Sequence, residues 1–159
     1  MRIATIGIYA WTLETVLAAL HAAHVPVVLD VRQRRGVRGP EYAWANSLRI
    51  QAALDNAGID YRHHKELAPT TELRHVQYDA DAQQGFGKRS RMQLAPEYRK
   101  RYLREILDRV DLGELVHELP AEGTAALMCV ERDPEACHRS LIAERLEAEF
   151  GISVVHLRP

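Results

Sequence analysis

Short, β-branched apolar runs alternate with longer amphipathic stretches along the whole chain, and this order restricts the fold more than any single motif does. Arg2 to Ile8 reads as a first strand, followed by a helix from about Thr12 to Ala23. The run Val25-Pro26-Val27-Val28-Leu29-Asp30-Val31 is a second strand, and its near-continuous apolarity suits burial on both faces. Pro26 falls near its first residue, where a missing donor is tolerated. A loop carrying Arg32, Arg34, Arg35 and Arg38 follows. A helix is then predicted from Ser47 to Ala57, with Leu48, Ile50, Ala53 and Leu54 as its apolar stripe and Gly58 as its stop. Ile59 to His63 is a third strand. Later in the chain, Gly123 to Val130 is a fourth strand, Pro134 to Phe150 a last helix, and Ser153 to Leu157 a fifth strand.

Between the third and fourth strands the pattern weakens. Residues 65–96 are polar, hold Gly85 and Gly87, and show no sustained period. So long a connection is expected to be a functional insertion or lid, mobile or partly helical. A helical pattern resumes from Pro96 to about Leu119, with Asp111-Leu112-Gly113 as its interruption.

Strand–helix–strand order repeated in this way implies right-handed crossovers and a mainly parallel sheet. The expected architecture is a three-layer α/β fold, Rossmann-like or flavodoxin-like, with five strands and helices on both faces. A length of 159 residues suits one domain over 1–159. No stretch has signal-peptide character or could span a bilayer. Two cysteines are too few for a disulfide framework, so a reducing, cytoplasmic setting is the expectation. The residues specify no cofactor and no oligomeric state.

The net charge of −1 conceals an asymmetry. Residues 32–104 hold 15 Lys or Arg against 8 Asp or Glu, while the remainder holds 6 against 14. A basic middle section either forms a surface that attracts phosphate or is spread over solvated loops and helix faces.

In parallel sheets ligands bind beyond the carboxyl ends of the strands. Polar groups gather at those positions, most densely in the run Cys129-Val130-Glu131-Arg132-Asp133-Pro134-Glu135-Ala136-Cys137-His138-Arg139. Asp133, Pro134 and Glu135 make a good helix start: a capping side chain, a proline at the first position and an acid facing the dipole. Cys137 and His138 are then expected one turn inside that helix, where partial positive charge favours a thiolate. Cys137 is either an activated nucleophile or a small packed hydrophobe, and Cys129, ending a buried strand, is more naturally the latter. A buried His138 needs a hydrogen-bond partner, for which Glu131 and Asp30 are the candidates. Asp30 and Arg32 share a face by period two. They either present a guanidinium fork to an anion or form a salt bridge that shapes the loop. Arg34, Arg35 and Arg38 read as surface residues.

Several motifs are excluded. Gly7 stands without the further glycines of a dinucleotide fingerprint, and around Gly85-Phe86-Gly87-Lys88 the phosphate-loop pattern fails at Ala82 and Arg89. Cys129, Cys137 and His138 lack paired zinc spacing, and neighbouring residues seldom both reach one ion, so no metal is expected.

At these residues the chain resembles the bacterial and archaeal family called domain of unknown function 488. Cys129, Glu131, Cys137, His138 and Arg139 carry the likeness, with Asp30-Val31-Arg32, Gly58-Ile59-Asp60-Tyr61 and Thr5-Ile6-Gly7, from Thr5 to Leu157. Where the family typically continues its first strand with histidine and serine, this chain has Ile8 and Tyr9. The resemblance implies a fold and a site, and no reaction.

Two functions are expected. In the first, an enzyme acts on a phosphorylated or anionic small molecule, nucleotide-like in kind. Cys137 is its nucleophile or a redox-sensitive thiol, His138 the proton-transfer partner and Glu131 the group orienting His138; Arg32 and Arg139 bind the anion, beside Asp30 and Cys129. The alternative is a non-catalytic nucleotide- or nucleic-acid-binding module that uses the basic middle section. No membrane partner is expected.

Overall fold

A computed structural model describes Met1–Pro159. Its five strands are β1 (Arg2–Ile6), β2 (Val27–Asp30), β3 (Asp60–His63), β4 (Thr124–Met128) and β5 (Ser153–His156). They form one wholly parallel sheet in the order β3-β2-β4-β1-β5. Six helices connect them: α1 (Leu13–Ala22), α2 (Ser47–Asn56), α3 (Thr71–Gln83), α4 (Pro96–Glu105), α5 (Leu112–Glu118) and α6 (His138–Phe150). The three-layer α/β architecture read from the sequence is present.

The two faces of the sheet build separate cores. Ala4, Ile6, Val28, Ala126 and Met128 pack with Val16 and Leu20 of α1 and Ile50 and Leu54 of α2. Ile3, Val27, Leu29, Ala125 and Leu127 pack on the other side against α3 to α6, through residues such as Leu73, Tyr102, Leu115 and Ile142. This division follows from strand order. The steps from β1 to β2 and from β2 to β3 run towards one edge, and the later two run towards the other. Crossovers of one hand then place the two sets of helices on opposite faces.

β2 and β4 are neighbours, yet the helices that follow them lie on opposite sides. Their loops diverge and leave a crevice between them. Between β4 and β1 the equivalent space is closed. Ile8 and Tyr9 both donate their backbone N–H to the Val130 carbonyl, and Gly7 lies so close to the Glu131 carbonyl that a β-carbon would overlap it.

Some local expectations are corrected. Leu48, assigned to the apolar stripe of α2, is 83% exposed, because Ile50 and Leu54 alone turn towards the sheet. The polar stretch 65–96 is partly helical, one of the alternatives expected of it, with Thr70 capping α3 by accepting from the Leu73 N–H. Asp111 starts α5 by accepting from Gly113, so the interruption after α4 is a new helix start. The last helix begins at His138. Pro134–Ala136 forms a separate 3-10 turn, and Cys137 is the extended N-cap residue at φ −141°, ψ 142°. No helix is long and apolar enough to cross a membrane.

Candidate functional site

The β2–β4 crevice opens into a cavity of about 750 Å³. Cys129, Glu131, Cys137 and His138 line its floor, and Arg32 also reaches it. The thiol of Cys137 and the guanidinium of Arg32 therefore share one rim of the sheet. The floor is assembled from local rules. Cys129 and Glu131 follow β4, and Cys137 is displaced from helical geometry by its role as N-cap. His138 occupies the first turn of α6 and packs tilted against Tyr102, ring centroids 5.4 Å apart, and the Tyr102 hydroxyl donates to the Leu67 carbonyl at 2.6 Å.

The His138 partner differs from both candidates named above. Its Nε2 donates to the Val31 carbonyl at 2.9 Å. Strand β2 ends at Asp30, so the next carbonyl is free to accept across the crevice. Nδ1 is then the nitrogen left to face the sulfurs, at 3.9 Å from each. Glu131 instead accepts from the Cys129 thiol at 3.7 Å and pairs with Arg91 at 3.4 Å.

The charges follow this geometry. Burial opposes ionisation of Cys137, but the adjacent Cys129 thiol and the charges of Arg139 and His138 outweigh it and hold Cys137 well below the ordinary thiol range. The same interaction with Cys137, reinforced by burial, pushes Cys129 well above that range. Burial works against a charged His138, and the Cys137 charge with the Val31 carbonyl raises it nonetheless. Burial and the Cys137 charge raise Glu131, against the pull of Lys88 and Arg91. The site thus favours a thiolate at Cys137 paired with an imidazolium at His138.

Three expected ligands are placed elsewhere or already engaged. Arg139 is fully buried and does not line the cavity; it donates to the carbonyls of Glu131 at 2.7 Å and Arg132 at 3.0 Å. It holds the β4–α6 loop. Arg32 lines the cavity, yet it is 1% exposed and spends its donors on Asp30 and the Ala45 carbonyl. Asp30 faces the α1–α2 layer in register with Val28 and also accepts from the Tyr61 hydroxyl at 2.6 Å. Of the two readings of this pair, the salt bridge that shapes the loop is the one its contacts describe.

The cationic groups that face the cavity come from residues set aside in the sequence. Arg34, Arg38, Arg74, Lys88, Arg89 and Arg91 line it, making seven basic side chains with Arg32, against Glu131 as the single acid. Arg34 and Arg38 are exposed, and they are also wall residues. Arg91 is 8% exposed and clasps Asp81 at 2.8 Å, while Gln77 bonds Asp81 at 2.8 Å. Leu73, Gln77 and Asp81 are spaced by four and form the buried face of α3. That spacing is the signal that would have located Arg91. Across the mouth, Arg89 stacks over Tyr9 at 5.1 Å and Tyr42 at 5.2 Å and donates to the Arg38 carbonyl at 2.8 Å. It joins the 33–39 loop to the 85–91 loop.

The spacing argument against a shared metal is also corrected. One ligand atom each of Cys129, Cys137 and His138 lies within 4.8 Å of the others. The extended backbone at Cys137 turns its thiol the same way as the first helical side chain, so adjacent residues converge.

Ile8 is fully buried in the core. No curated protein and no solved structure matches the chain. The family model described as domain of unknown function DUF488 matches residues 12–146, most of the chain, and the chain belongs to that family.

Proposed function

We propose that the chain is an enzyme acting on a phosphorylated or otherwise anionic small molecule, with Cys137 as nucleophile and His138 as its proton partner. One observation carries the reading: a buried thiol and imidazole form the floor of a cavity walled by seven basic side chains and one acid. Such a cavity concentrates anions and orients them over its floor. Arg34, Arg38, Lys88 and Arg89 take the role expected of Arg139, and Arg91 draws charge towards Glu131. His138 receives the Cys137 proton at Nδ1 while Val31 fixes the ring. Incubation with para-nitrophenyl phosphate and a panel of nucleotides tests the assignment. Turnover should vanish in Cys137→Ser with the melting temperature retained, and full turnover by that variant removes the nucleophile.

A second reading is a nucleotide-binding module without covalent chemistry. Tyr9 and Tyr78 line the cavity beneath Arg89 and Arg74, and they offer stacking surfaces for a base. Nucleotide binding unaffected by Cys137→Ser, with no turnover by the wild type, favours it.

A further inference from the structure

We propose that Cys129, Cys137 and His138 form a binding site for a thiolate-preferring transition metal, Zn²⁺ in the first instance. The inference goes beyond the enzyme reading and does not depend on it.

The three donor atoms already stand close to the spacing an ion requires. Zinc bonds of about 2.3 Å to sulfur and about 2.0 Å to nitrogen, in tetrahedral arrangement, separate donor atoms by roughly 3.5–3.8 Å. Here Nδ1 of His138 is 3.9 Å from both sulfurs, and all three atoms lie within 4.8 Å. Small side-chain rotations close the set.

The imidazole is oriented as a ligand would be. A metal-binding histidine characteristically donates its other ring N–H to a carbonyl or carboxylate, which fixes the tautomer and ring plane. Val31 supplies that carbonyl at 2.9 Å, and Tyr102 packs against the ring. Glu131, 3.7 Å from the Cys129 sulfur, is the neighbouring group able to support the set.

Three protein donors leave a fourth position, and all three residues line the cavity. That pattern belongs to sites open to water or ligand and not to closed structural ones. Two thiolates with one imidazole favour zinc over the hard cations magnesium and calcium, which take oxygen. Zinc held here draws charge from the Cys137 sulfur and lowers its nucleophilicity. Metal binding and nucleophilic attack therefore compete for the same sulfur.

The test uses the full chain, stripped of metal by a chelator and titrated with Co²⁺ as a spectroscopic probe, then with Zn²⁺. One equivalent should bind with thiolate-to-cobalt charge-transfer absorption and tetrahedral ligand-field bands, and Zn²⁺ should displace it. Loss of a supporting hydrogen bond alone weakens metal sites about 10–100-fold, so Cys129→Ser should weaken binding by more than about 100-fold. Should that variant fail to fold, the wild type still decides: stoichiometric Zn²⁺ should protect Cys137 from iodoacetamide. Absence of the sulfur–cobalt band in folded wild type, or binding indifferent to Cys129→Ser in a folded variant, overturns the site. Alkylation of Cys137 undiminished by Zn²⁺ does the same. Turnover by the metal-free protein reports on the enzyme reading separately.

Discussion

Gly7 is a residue whose importance lies in what it lacks. Any side chain there would overlap the Glu131 carbonyl, the group that also accepts from Arg139. Gly7→Ala must therefore push the β4–α6 loop away from β1, and it should destabilise the protein by about 1–3 kcal/mol in urea unfolding. A second single-residue expectation concerns His156, whose Nδ1 lies 2.8 Å from the Thr5 hydroxyl. Partial burial and the nearby Arg139 charge hold its pKa below the ordinary 6.5. The unfolded chain then takes up this proton first. The stabilising share of neutral His156 is whole above about pH 6.5 and is lost as acidity increases. Its imidazole resonances should titrate with a midpoint below 6.5, and a midpoint above that value contradicts the assigned environment.

At the scale of elements, the sequence was most legible where periodicity and burial agree. β2 and β4 are buried on both faces, and their apolar runs show it directly. The bounds of α3 were not legible because its inward face is built from Leu73, Gln77 and Asp81, of which two are polar. A reading that counts apolar residues finds no stripe there. Asp81 is buried only because Arg91 and Gln77 satisfy it, and Arg91 lies beyond the helix in a glycine-bearing loop. Asp81→Ala leaves that guanidinium buried with only the Glu131 contact at 3.4 Å and the Ala136 carbonyl at 3.2 Å. It should lower stability by about 3–5 kcal/mol, and hydrogen exchange should rise first in the 84–95 segment. Equal protection there in the variant and the wild type argues against this tether. The start of α6 was misplaced for a related reason. Asp133-Pro134-Glu135 has the composition of a helix start but builds a 3-10 turn, and the chain extends once more at Cys137. The placement of the thiol by sequence was close. Its backbone state, which brings it beside His138, was not readable from residue types.

For the whole molecule, the parallel sheet and its crevice explain why residues a hundred positions apart meet. His138 touches Val31 because β2 and β4 are neighbours, a pairing that local pattern cannot reveal. The surplus of basic residues over 32–104 proved informative in location as well as number, since all seven basic side chains of the cavity fall within it. Their collective field is long-ranged in dilute buffer and is screened as the Debye length shrinks from about 30 Å at 0.01 M salt to about 8 Å at 0.15 M. Affinity for a nucleoside monophosphate should fall steadily over that range by isothermal titration. A flat response would detach the basic wall from binding.

Floor and wall are supplied by different stretches of chain. The strand ends and α6 are laced together by backbone donors and by Arg32 and Arg139, while the wall hangs on the 33–39 and 85–91 loops. Under the proposed function, exchanging the 33–39 loop should alter which ligand is admitted, whereas the 85–91 loop also reaches the floor through Arg91, which meets Glu131 at 3.4 Å and the Ala136 carbonyl at 3.2 Å. In the proposed enzyme, guests can thus be reassigned by grafting the seven residues 33–39, close to the length of an ordinary surface connection.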